Sequence, residues 1–183
     1  KKNQIECYRG SIDDVLERYY FCAKEFKLDS SINKLNIIRI TGDCPIIDSK
    51  LVDTVISYFE KNECNYVSNT LIPTFPDGMD VEIFKFKSLE KAWKASRNQK
   101  KYREHVTTYI LENKLLKKLN VQFKKDYSFL RLTLDYKEDL EVINFILKSF
   151  SKNLKFGVNE IIKLYSKNKK IFKKNMSIER NQG

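Results

Sequence analysis

Two aspartates carry the first suggestion of chemistry in this chain. Asp43 stands in Thr41-Gly42-Asp43-Cys44-Pro45, directly after a short β-branched run at residues 35–41. Asp135 closes a second short predicted strand, residues 130–134. A carboxylate at the carboxyl end of a parallel strand lies at the mouth of the sheet, where α/β proteins bind ligands, and a hard oxygen donor there suits Mg²⁺. Two such aspartates could hold one Mg²⁺ between protein and a triphosphate, as phosphoryl-transfer sites do. Each also has a plainer reading: Gly-Asp is a common turn pair, and Asp135 with Glu138 makes a capping box for the helix that follows.

Other chemistries find few residues. The five glycines, at positions 10, 42, 78, 157 and 183, form neither a Walker loop nor a Gly-x-Gly-x-x-Gly turn, and one histidine excludes a multi-histidine metal site. Four cysteines contain no Cys-x-x-Cys pair and read as reduced thiols of a cytoplasmic protein. No apolar run approaches the roughly 20 residues of a membrane span. Of the formal net charge of +11, residues 111–183 carry +9, much of it between Lys163 and Lys174. Such a surface could attract a polyanion, but it lacks base-reading or stacking motifs, so a solvated lysine face is the favoured reading and nucleic acid is not expected as a partner.

The elements that must position the aspartates follow from periodicity. A helix is predicted over residues 12–27, capped by Ser11 with Asp14, and strands over 35–41, 65–69, 80–86, 119–123 and 130–134. Further helices are predicted over 88–96, 103–112 and 159–166, one begins after the Asp48 cap, and one carries the stripe Leu140, Ile143, Leu147 and Phe150. Alternation of this kind predicts an α/β three-layer sandwich with a mixed, mostly parallel sheet. At 183 residues and 42% hydrophobic the chain suffices for a single domain, with residues 151–183 as its basic helical extension.

The motifs, taken in order, resemble the spore-coat polysaccharide biosynthesis cytidylyltransferases. They are Tyr8-Arg9-Gly10-Ser11 with Asp14-Val15-Leu16, Arg39-Ile40-Thr41-Gly42-Asp43-Cys44-Pro45, Tyr66-Val67-Ser68-Asn69-Thr70, Thr74-Phe75-Pro76-Asp77-Gly78-Met79-Asp80-Val81-Glu82, Arg103-Glu104-His105-Val106-Thr107 and Leu130-Arg131-Leu132-Thr133-Leu134-Asp135. The resemblance implies a nucleotide-diphospho-sugar transferase fold, related to the enzymes that make CMP-KDO and CMP-sialic acid. It implies that a sugar or sugar-acid hydroxyl attacks the α-phosphate of CTP and pyrophosphate leaves. Asp43 and Asp135 would then be the catalytic metal ligands, with Mg²⁺ as cofactor. Arg9, Gly10, Ser11 and Asp14 would approach the nucleotide base, and Asp77, Asp80, Glu82, Glu104 and His105 would line the acceptor side.

The family's opening strand and phosphate loop are not found in this sequence, so the expectation is a partial domain, inactive alone, whose parent protein is the enzyme. The closing residues 178–183 resemble a family stretch that leaves room for a further domain after residue 183, and a homodimer is compatible with the sequence. Two other readings differ in kind: a non-catalytic basic nucleic-acid-binding or docking module, and a glycosyltransferase on a similar fold that consumes an activated sugar. The sugar itself is not legible, and the acidic acceptor side disfavours a carboxylate substrate unless Arg or Lys neighbours offset it.

Overall fold

The structure, a computed structural model, describes residues 5–26, 35–97, 99–152 and 154–180. The end of the expected first helix at residue 27 and the closing residues 181–183 lie outside them. The chain forms two compact units, one of Lys1–Ile38, Glu63–Tyr66 and Ile83–Lys118, the other of Arg39–Asn62, Val67–Glu82 and Leu119–Gly183.

Four short strands, β1 (Asn36–Arg39), β2 (Tyr66–Ser68), β3 (Glu82–Lys85) and β4 (Lys118–Asn120), form a sheet in the order β1-β3-β2-β4. The sheet is mixed. Phe86 N donates to Leu35 O at 2.9 Å and Lys85 N to Asn65 O at 3.2 Å, so β3 runs antiparallel to both neighbours. Asn65 N donates to Lys117 O and Val121 N to Ser68 O, both at 2.9 Å, the advancing register of a parallel β2–β4 pair. The parallel share is smaller than the alternation of elements suggested, because β3 returns from a loop rather than from a helix. Among the described residues β1 has one neighbour, and Ile38 and Ile40 stand 42% and 38% exposed, so this strand is an edge rather than the buried strand its β-branched run suggested.

In the first unit, helix α1 (Val15–Glu25) packs on α3 (Phe86–Ala95) and on the short α4 (Lys100–Glu104). Their shared core holds Leu16, Tyr20, Tyr66, Phe84, Phe86 and Leu89, with the Tyr20 ring stacked 4.2 Å from Trp93. Asp14 rather than Ser11 is the cap: its Oδ1 accepts from Glu17 N at 2.8 Å, and Ser11 Oγ accepts from Asp14 N at 3.1 Å one turn earlier. The helix expected over 103–112 is broken into α4 and α5 (Thr108–Glu112), because His105 adopts an extended conformation, φ −99° and ψ 107°.

The second unit carries α2 (Ser49–Lys61), α6 (Lys137–Ser149), α7 (Val158–Lys167) and α8 (Lys169–Phe172). Leu51, Val55 and Phe59 of α2 and Val142, Ile143 and Ile146 of α6 are buried, as amphipathic spacing requires. Residues 130–134 do not form a ladder strand. They run extended against loops, with one parallel bridge between Asp77 and Arg131. Asp77 N donates to Leu130 O at 2.8 Å, and Leu132 N to Asp77 O at 2.7 Å. Gly78 lets this approach happen: its φ is +90°, and a Cβ there would lie 2.5 Å from the Leu132 carbonyl carbon.

Candidate functional site

The second unit brings Asp43, Asp77, Asp80, Glu82 and Asp135 into one body. Asp43 follows β1 in a turn closed by Cys44 N donating to Thr41 O at 3.3 Å. Its own carbonyl accepts from Leu134 N at 2.9 Å, which sets the Asp43 turn against the residue preceding Asp135. Both aspartates thus end extended segments and sit where solvent reaches them. Among the described residues no group of three or more His, Cys, Asp or Glu is arranged to hold a metal. Both side chains are hard oxygen donors of the kind Mg²⁺ takes, and their segments abut through the Leu134 N to Asp43 O bond.

Behind Asp135 lies a cluster of charge that the sequence reading did not find. The Arg131 side chain is 4% exposed. Its Nη2 donates to Asp135 Oδ2 at 2.6 Å and to Asp139 Oδ2 at 3.2 Å, and its Nε to Asp139 Oδ1 at 3.0 Å. Its Nη1 reaches Asp77 Oδ2 at 3.4 Å and the Glu179 carbonyl at 3.3 Å. Asp139, fully buried, also accepts from Asp135 N and Tyr136 N, each at 3.1 Å. The box acid of α6 is therefore Asp139 and not Glu138, and Asp135 receives the cap's help instead of supplying it. Asn175, buried near the end of the described chain, ties Arg131 O to Asp139 Oδ1 at 3.0 and 2.8 Å.

Asp77, Asp80 and Glu82 have arginine partners too. Arg180 donates to Asp80 Oδ1 at 2.5 Å and lies 3.6 Å from Asp77 Oδ1, and Arg39 is paired with Glu82. Burial pushes the Asp80 carboxyl up to about 6, with Arg180 pulling the other way, and raises Asp77 for the same leading reason against Arg180 and Arg131. Burial likewise pushes the Cys44 thiol up to about 11, partly offset by its Thr41 contact, so this thiol is protonated and inert at neutral pH. These pairings were not visible in sequence because Arg180 meets Asp80 across 100 residues and Arg39 meets Glu82 across 43.

The remaining expected site residues, Arg9, Gly10, Ser11, Asp14, Glu104 and His105, belong to the first unit. Arg9, Gly10 and Ser11 are exposed, as are Glu104 and His105. Asp14 is engaged in structure, capping α1 and receiving Arg103 Nε at 2.6 Å, so the Arg103 of the Arg-Glu-His segment fastens α4 to α1. The same unit holds a cleft of about 430 Å³ lined by Tyr8, Arg18, Tyr19, Phe26 and Ile37 among others. Arg9, Gly10, Ser11 and Asp14 do not line it.

The family model described as Cytidylyltransferase matches residues 2–178. An uncharacterized protein of Methanocaldococcus jannaschii is 36% identical over 170 residues, and the match covers 91% of this chain and 65% of that protein. The spore coat polysaccharide biosynthesis protein SpsF of Bacillus subtilis is 29% identical over 174 residues, covering 91% of this chain and 67% of that one. The chain thus spans about two thirds of the length of these curated relatives. A solved cytidylyltransferase from Leptospira borgpetersenii superposes with a TM-score of 0.85 at 33% identity, over all of this chain and 71% of its own.

Proposed function

The chain belongs to the cytidylyltransferase family, and from that premise we propose that its full-length protein transfers CMP from CTP to a hydroxyl of a sugar or sugar acid destined for polysaccharide, with release of pyrophosphate. The observation that carries the site is the pair Asp43 and Asp135, set on abutting segments by the Leu134 N to Asp43 O bond. In this reading the two carboxylates would hold Mg²⁺, which would supply positive charge against that building on the phosphoryl oxygens. Asp43 and Asp135 orient the triphosphate, and the Asp77–Asp80–Arg180 group faces the acceptor.

Arginine partners bear on the acceptor's chemistry. Arg180 beside Asp77 and Asp80, and Arg39 beside Glu82, offset the acids that otherwise weigh against an anionic substrate, so a sugar acid is as compatible with this side as a neutral sugar. The polysaccharide context is drawn from SpsF, whose name states it.

Pyrophosphate release by the full-length protein, screened with CTP, Mg²⁺ and a panel of sugar acids, sugars and sugar phosphates, tests this reading. Release is expected with at least one acceptor and is lost by orders of magnitude in Asp43→Asn and in Asp135→Asn, with the double variant no worse than either, since one missing ligand disables the pair. Full turnover in Asp43→Asn at ordinary Mg²⁺ concentration would remove the metal role from this residue.

A further inference from the structure

Resting on the reading of Asp43 and Asp135 as a cation site, we propose that Arg131 is the positioning residue that presents the Asp135 carboxylate to the cation, and that Asp139 keeps Arg131 from neutralising it. A guanidinium touching a metal ligand is a puzzle on charge alone. It fixes the carboxylate, yet its positive charge opposes the cation the carboxylate is meant to hold.

The pattern of contacts resolves it. Arg131 faces three carboxylates, Asp77, Asp135 and Asp139, so the group as a whole is negative by two charges. The fork of Nε and Nη2 is met by both oxygens of Asp139 at 3.0 and 3.2 Å, the bidentate geometry that best balances a guanidinium. Asp139 is fully buried, so water does not screen this pairing. Asp135 receives the remaining Nη2 direction, through Oδ2 alone. Its Oδ1 accepts no hydrogen bond among the described residues and is left for a ligand. Asp139 Oδ2 also accepts from Asp135 N, so one buried acid pins the main chain of Asp135 while the arginine it balances pins the side chain.

The far side of the arginine is closed as well. Nη1 is held by the Glu179 carbonyl and Asp77, and Arg131 O by Asn175 Nδ2. A guanidinium anchored on all its edges has one orientation, and it passes that order to Asp135. Support of this kind behind a metal ligand is typically worth tenfold or more in metal affinity.

The sign of one measurement separates positioning from simple electrostatics. Mn²⁺ alone is titrated against the full-length protein, and free Mn²⁺ is read by electron paramagnetic resonance. Removing a positive charge in Arg131→Gln would tighten Mn²⁺ binding if only charge mattered. Positioning requires the opposite, a loss of about tenfold or more. Asp139→Asn, which leaves Arg131 and Asp135 in place, is expected to weaken binding as well, because the arginine's charge then falls on Asp135. Circular dichroism confirms that each variant folds. If Arg131→Gln does not fold, Arg131→Lys, which keeps the buried charge but loses the fork, is compared in its place with the same expected loss. Unchanged or tighter Mn²⁺ binding in a folded Arg131 variant overturns the proposal. The site reading fails separately, if Asp135→Asn binds Mn²⁺ as the wild type does.

Discussion

Asp80 shows how a single residue here trades stability against charge. Its carboxyl is pushed up to about 6 by burial, from an ordinary aspartate value near 3.8, despite the Arg180 contact. For an acid raised in the folded state, the native protein binds more protons than the unfolded chain between those two values, so stability falls as pH rises through about 4 to 6. Two pH units at roughly 1.4 kcal/mol each bound the effect at about 3 kcal/mol. Asp80→Asn removes it. Urea unfolding at pH 4 and pH 7 should show the stability difference between wild type and variant shifting against the wild type at the higher pH, and a difference constant across that range would contradict the raised carboxyl. At this scale the sequence was informative about residue types and poor about pairings. Asp43 and Asp135 could be picked out because each follows a predicted strand. Arg131, Asp139 and Arg180 could not, because a buried guanidinium is defined by all the acids around it: Asp135 and Asp139 lie near Arg131 in sequence, but Asp77 meets Arg131 across 54 residues and Asp80 meets Arg180 across 100.

Among the elements, Asp48 joins two helices through one carboxylate. Oδ1 accepts from Lys50 N at 2.8 Å to cap α2, and Oδ2 accepts from Val158 N at 2.9 Å at the start of α7. Gly157 makes the second contact possible, since a Cβ there would lie 2.2 Å from Asp48 Oδ2. Each cap is worth about 1 kcal/mol, so Asp48→Ala should cost about 2 kcal/mol or somewhat more with α7's amide left buried. Gly157→Ala should also destabilise, by forcing carboxylate and methyl apart. The double variant should be less damaged than the sum of the two, because removing the carboxylate makes room for the methyl, and strict additivity in denaturant melts would refute the shared contact. The first of these caps was legible, since Asp48 precedes an apolar stripe. The second was not, because it spans 110 residues. Residues 130–134 misled for a related reason: the alternation of Leu130, Leu132 and Leu134 with Arg131 and Thr133 marks an extended segment, but whether it pairs with strands or with loops is decided by its neighbours.

For the whole molecule, family membership was legible from motif order, and the family model matches residues 2–178. The division into two units was not, since each unit gathers three separate stretches of chain. That interleaving makes the second unit, which holds both Asp43 and Asp135, depend on segments far apart in sequence, so a ligand gripped by those segments should stabilise the fold against global unfolding. If CTP with Mg²⁺ binds the native state alone, a concentration 100 times Kd adds about 2.7 kcal/mol. For a chain of this size that corresponds to a rise of roughly 5–10 °C in Tm. Differential scanning of the full-length protein should show this rise with CTP and Mg²⁺ together, a much smaller one with CTP and EDTA, and little in Asp43→Asn or Asp135→Asn under the same conditions. A rise of equal size in Asp135→Asn would mean that the triphosphate is held without the carboxylate pair, and the site would have to be sought elsewhere in the fold.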